Sequence, residues 1–74
     1  VHKGIGKSII NEFLVKHVFN DLSVRFAGID PEVDNIIAIR AYEKSGFKHV
    51  NTEYSKYNNN MTYYMILDRF DINL

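Results

Sequence analysis

The chain has 74 residues, 46% of them hydrophobic, 14% aromatic and 24% charged, with nine Lys or Arg balanced by nine Asp or Glu. That composition is globular rather than disordered, and the lack of any Cys excludes a disulfide framework and thiolate metal sites. A formal net charge of +0 argues against gripping nucleic-acid phosphates or an anionic membrane. No apolar run approaches the roughly 20 residues that span a bilayer and no signal peptide is visible, so a cytoplasmic location is expected. The chain starts at Val1 and enters a glycine turn at once, with no strand before it. It therefore reads as a piece of a larger fold entered midway.

In chain order, Gly4-Ile5-Gly6 opens a segment with apolar residues at helical spacing (Ile5, Ile9, Ile10, Phe13, Leu14, Val18, Leu22), which predicts a helix over Gly4 to Asn20. Ser23 to Ile29 alternates in part and suits a short buried strand, with Gly28 marking a bulge or a close backbone approach. Asp30 to Asp34 is a loop, because Pro31 lacks an amide donor and pushes Asp30 out of helical geometry. Asp34 then caps a second helix, Asn35 to Lys44, which Gly46 ends as a left-handed cap. Phe47 to Tyr54 and Met61 to Leu67 flank a polar turn and read as an antiparallel hairpin. The tail from Asp68 to Leu74 carries no clear signal. The order α-β-α-β-β implies an α/β fold, a mixed sheet with two helices in which a crossover helix separates two strands.

Lys3-Gly4-Ile5-Gly6-Lys7-Ser8 places permissive residues where a loop becomes a helix. The backbone there can approach a ligand closely, and the free amides and macrodipole of the first turn favour a phosphate. Each amide-to-phosphate bond would contribute about 1.5–3 kcal/mol, one partner being charged. A Walker A loop needs a glycine where Val1 stands, and an RNA-binding KH loop needs its glycines three apart. A plain helix start with two turn glycines fits the segment as well.

On the second helix, Asn35, Ala38 and Tyr42 fall on one face within roughly a sixth of a turn. A small residue between an amide and a phenol leaves room for an extended ligand, although an ordinary buried tyrosine with a bonded hydroxyl satisfies the same spacing. The longer run from Asn35 to Phe47, NIIAIRAYEKSGF, resembles the NxxAIRxYEKxGF signature of GNAT acetyltransferases. The glycine turn resembles that family's acetyl-CoA pyrophosphate loop and lies at the expected distance upstream. The resemblance runs from Val1 to about Leu67 and is nearest to bacterial aminoglycoside 6'-N-acetyltransferases. They share the Lys3–Gly6 turn, Phe19-Asn20-Asp21, Asp30-Pro31 and Tyr64-Met65. Val1 stands where the family often has Gln or Arg.

The resemblance implies the C-terminal half of a GNAT fold, residues 1–74 forming a partial domain without the family's N-terminal strands. It implies acetyl-CoA as co-substrate and an amine of a small polycationic molecule, such as an aminoglycoside antibiotic, as acceptor. Amides around Ile5, Gly6, Lys7 and Ser8 would hold the pyrophosphate, with Lys3 and Gly4 beside them. Asn35 would bond the pantetheine arm, Ala38 would give it clearance, and Tyr42 would protonate the departing thiolate. An ordinary phenol near pKa 10 gives its proton to a thiol near 8.5 uphill by about 1.5 units, roughly 2 kcal/mol. Its contribution is therefore mainly a hydrogen bond to charge developing in the transition state. The family's amine-deprotonating group would lie in the missing portion, so the chain alone is expected to have little activity.

Asp30, Glu32 and Asp34 form an acidic loop, which suits a rim facing ammonium groups. The resemblance makes Asp30 the substrate-binding acid, while capping and turn formation explain the same residues without a ligand. His2, His17 and His49 have no metal-ligand spacing, so no metal is expected, and His17 reads as packed against the helix. Tyr54, Tyr57, Tyr63 and Tyr64 read as sheet packing; a base-stacking surface would need a basic groove. Outside catalysis, the alternative is an inactive module that self-associates, as a homodimer or domain swap, through an exposed strand edge near Phe26. A protein N-terminus or a hydroxylamine is a further alternative for the acceptor.

Overall fold

A computed structural model describes residues 6–57 and 59–73. The first helix, α1, spans Lys7–Phe13 and runs on into a π-helical segment, Leu14–Val18, closed by the Phe19 N–H donating to the Leu14 carbonyl at 2.7 Å. Gly6 is its N-cap, so the helix starts later than the glycine turn predicts, and Gly4 lies outside the described residues. One helix can bury one stripe. Ile10 and Leu14 take it, leaving Ile9 (50%) and Phe13 (58%) exposed and Leu22 out in the following turn. His17 is exposed as well, its ring tilted at 41° and 5.2 Å from that of Phe13, where a packed, bonded histidine is expected.

The first strand, β1, covers Phe26–Ile29 and not Ser23 onward. Ser23 is held in a turn by Asp21, whose carboxylate accepts from the Ser23 N–H at 3.0 Å and hydroxyl at 2.7 Å. The carbonyls of Phe19, Asp21, Leu22 and Val24 are taken by the guanidinium of Arg69. The second helix, α2, spans Ile36–Ser45. Its N-cap is Asn35 and not Asp34: the Asn35 Oδ1 accepts from the Ala38 N–H at 3.3 Å, and its carbonyl from the Ile39 N–H at 3.1 Å. Gly46 is the left-handed cap predicted, at φ 114, and the Phe47 N–H closes the turn on the Tyr42 carbonyl at 3.0 Å.

The hairpin forms as expected, from β2 (Lys48–Ser55) and β3 (Asn60–Asp68), with a bulge between His49 and Asn51. The strand order is β1-β3-β2, and β1 pairs with β3 from Phe26 opposite Asp68 to Ile29 opposite Met65. The crossover helix α2 does separate β1 from β2, but β3 inserts between them. Each neighbouring pair among the described strands is therefore antiparallel, where a mixed sheet was expected. The β1 register continues past Asp30-Pro31, because Glu32 bridges to Thr62 and the Pro31 carbonyl accepts from the Tyr63 N–H at 2.8 Å.

Alternation along the paired strands sends Ala27, Ile29, Met65 and Leu67 to the helix side and Phe26, Gly28, Tyr64 and Ile66 to the other. Met65 (1% exposed) and Leu67 (0%) are the centre of the core, with Ile10, Leu14, Ile39 and Phe47 packed over them. The tail, uninformative in sequence, is a strap. After a 3₁₀ turn, Arg69–Asp71, the Asn73 N–H donates to the Ser45 carbonyl (2.9 Å) and its side-chain amide to the Lys44 carbonyl (3.0 Å). The Asn73 carbonyl accepts from Asn11 Nδ2 at 2.9 Å, tying both helices together.

Candidate functional site

The edge of β1 has a cavity on each side. On the helix side, a cavity of about 350 Å³ is lined by Ile9 and Phe13 of α1, Ala27, Gly28 and Ile29 of β1, and Tyr42 of α2. Tyr42 is half-buried and held by Phe47, whose ring meets it edge-on at 5.4 Å and 67°. On the other side, a cavity of about 460 Å³ is lined by Gly28, Ile29, Asp30, Val50, Tyr64 and Ile66, with Met65 behind. Gly28 and Ile29 border both.

The structure brings only part of the predicted site together. Tyr42 shares its cavity with α1, so the two helices do face one cleft. Asn35 and Ala38 do not line it: Asn35 is exposed with its Oδ1 engaged as a cap, leaving its Nδ2 hydrogens for an acceptor, and Ala38 is 5% exposed. Lys3, Gly4 and Ile5 lie outside the described residues. At Gly6, a Cβ would meet nothing within 4 Å among the described residues. The amides of Lys7 and Ser8 have no partner within the helix, whose first internal bond runs from the Ile10 N–H to the Gly6 carbonyl at 3.1 Å.

The three loop acids separate clearly. Glu32 and Asp34 both accept from Asn60 Nδ2, at 3.3 and 3.5 Å. Asp30 is exposed on the rim of the second cavity, and among the described residues its carboxylate has no hydrogen bond or ion pair. Among the described residues no group of His, Asp or Glu is placed to hold a metal. Of the tyrosines, Tyr63 packs at the core edge and stacks on His49 at 4.1 Å, while Tyr54 and Tyr57 are exposed. No described helix is long and apolar enough to cross a membrane.

Sequence reasoning missed Arg69, which stands over Phe19 at 5.2 Å and organises the joint between α1 and β1. Its partners lie 45 to 50 residues away, beyond any local pattern.

No family model matches the chain. Curated proteins do. The chain is 42% identical over 50 residues to a kanamycin resistance protein of Rhizobium radiobacter, which covers 68% of this chain and 45% of that protein. It has the same identity, over 68% of itself and 24% of the relative, to aminoglycoside N(6')-acetyltransferase type 1 of Klebsiella pneumoniae. Over that stretch the chain is similar in sequence to aminoglycoside 6'-N-acetyltransferases. Solved structures of these enzymes superpose on it. The aminoglycoside N(6')-acetyltransferase of Legionella pneumophila matches with a TM-score of 0.77 and 27% identity, covering 90% of this chain and 40% of that one. AAC(6')-Ib in complex with ribostamycin and coenzyme A matches at 0.74 and 35% identity, covering 93% of this chain and 37% of the enzyme. The α/β arrangement expected from the GNAT resemblance is thus the one that these acetyltransferases have. The chain spans less than half the length of each of these relatives.

Proposed function

We propose that this chain supplies the acetyl-CoA side, and one acceptor-binding acid, of an N-acetyltransferase acting on an amine of a small polycationic molecule such as an aminoglycoside. The single observation carrying this reading is that Tyr42 and Asp30 flank the same two residues of β1, Gly28 and Ile29, from opposite cavities. A thioester donor approaching from the helices and an ammonium-bearing acceptor approaching from Asp30 would meet there. The homologues' names supply the chemistry. The amides of Gly6, Lys7 and Ser8, with Lys3, Gly4 and Ile5 before them, would receive the pyrophosphate, and outside the cleft that Tyr42 lines Asn35 Nδ2 would bond the pantetheine arm, with Ala38 giving it clearance.

In the reaction, the neutral amine nitrogen attacks the acetyl carbon, the C–N bond forms and the C–S bond breaks. The departing sulfur takes the Tyr42 hydroxyl proton, which the phenolate regains from water as the new amide nitrogen loses its own extra proton to solvent. Phe47 fixes the ring so that the hydroxyl need not be ordered during the reaction. Residues 1–74 by themselves are expected to bind acetyl-CoA weakly and turn over little.

The test is acetyl transfer from acetyl-CoA to kanamycin by the whole protein, with titration calorimetry of acetyl-CoA. Tyr42→Phe should lower kcat by roughly 10²-fold while leaving acetyl-CoA affinity near wild type. An unchanged kcat removes Tyr42 from the chemistry.

One observation favours a second reading. Among the described residues β1 pairs on one side only, and its four residues carry no charge. In that reading the chain is a non-catalytic module that dimerises through this edge. A dimer in sedimentation that takes up no acetyl-CoA would support it over the transferase.

A further inference from the structure

Gly28 is hard to explain by the fold. Glycine inside a strand weakens it and usually marks a bulge, a strained turn or a close approach. Gly28 has no bulge, sitting in unbroken register opposite Ile66. It is not in the left-handed region, where Gly46 is found. Nor is it crowded: a Cβ there would have the Met65 carbonyl oxygen as its nearest neighbour, at 3.9 Å, an ordinary contact. The backbone and the packing among the described residues therefore leave room for a Cβ. What remains is the space itself, because Gly28 lies on the strip that both cavities share, between Tyr42 on one side and Asp30 on the other.

We infer that Gly28 is a specificity-determining position: its missing side chain keeps clear the strip that the two cavities share and sets how bulky the carbon bearing the acceptor amine can be. The inference rests on the acetyl-transfer reading. The amine must come within bonding distance of the thioester carbon, so the carbon next to the nitrogen is carried to the same strip. A side chain at position 28 would compete for that volume. A Cβ here meets no protein group closely, so the crowding would fall on the acceptor and spare the core.

The experiment uses the whole protein, Gly28→Ala and Gly28→Val, with two acceptors, gentamicin C1a and gentamicin C2, the second of which adds one methyl to the carbon bearing the 6'-amine. In Gly28→Val, the ratio of kcat/KM for the unbranched over the branched acceptor should rise about tenfold, and in Gly28→Ala about threefold, as expected for one methyl group in a tight site. The KM for acetyl-CoA and the melting temperature should stay near wild type in both. An unchanged acceptor ratio overturns the inference. So does a fall in melting temperature in both variants, since protein and not ligand would then occupy the space. Wild-type protein that transfers acetyl to neither acceptor sinks the transferase reading instead, which keeps the two failures apart.

Discussion

Around α2 and the β1 joint the chain ties down its backbone, whereas along the middle of β1 it leaves surfaces bare. At the tied region, Gly46 turns against the Asp71 carbonyl, Asn73 bonds two carbonyls at the end of α2 and one side chain of α1, and Arg69 collects four carbonyls of the segment before β1. At the bare region, Ile9, Phe13, Gly28 and Asp30 border open volume. Both ends of β1 are thus fixed, by Arg69 before it and by the Pro31–Tyr63 bond after it, while its centre faces the cavities. Rigid support under an open strip is what a site needs if reacting groups are to meet in one geometry.

Substitutions should separate the two regions. Gly46→Val should do most harm, because its Cβ would stand 2.4 Å from the Asp71 oxygen at a φ that β-branched residues avoid; about 3 kcal/mol should be lost in denaturant unfolding. Arg69→Ala should cost about 2 kcal/mol, its bonds to the Phe19 and Val24 carbonyls being partly buried, and Arg69→Lys should recover little because an ammonium cannot reach four acceptors in one plane.

A smaller effect depends on pH. The Arg25 guanidinium, 2.9 Å away, and then the Phe70 N–H hold the Asp68 carboxyl below its ordinary value of 3.8. A depressed carboxyl stabilises the fold fully above that value and loses its contribution as pH falls through the folded one. Asp68→Asn should therefore be less stable than wild type near neutrality, the gap closing below about pH 4 in thermal melts. Least affected should be Phe13→Ser on the bare side, within about 0.5 kcal/mol of wild type, since the ring is already exposed. A large loss there would mean that the cavity is part of the core.

Legibility from sequence followed how local each signal is. The α2 segment, its Gly46 cap and the hairpin were all readable because caps, turns and strand runs are written in adjacent residues. Asp34 and Asn35 are neighbouring residues that both cap well, so composition could not choose between them; only the helix axis does. The short β1 was overcalled because the carbonyls before it are taken by a guanidinium from the far end of the chain. Of the candidate site, Tyr42 was singled out by the run from Asn35 to Phe47 and Asp30 by the separate Asp30-Pro31 pair. That their two cavities share Gly28 was not legible, since it depends on β1 being laid against β3.

The wide turn at Leu14–Val18 has its own consequence. In ordinary winding, a residue five places after Leu14 would stand roughly 140° around the axis, away from the side that Leu14 buries. Because the ring closes on Leu14 one residue late, Phe19 comes round to nearly the same side, where it is buried and offers its face to Arg69. Removing one amino acid from that stretch would restore the tighter pitch and swing the ring off the guanidinium, so the spare residue works as a spacer that sets the phase between a helix and the cation fastening its exit.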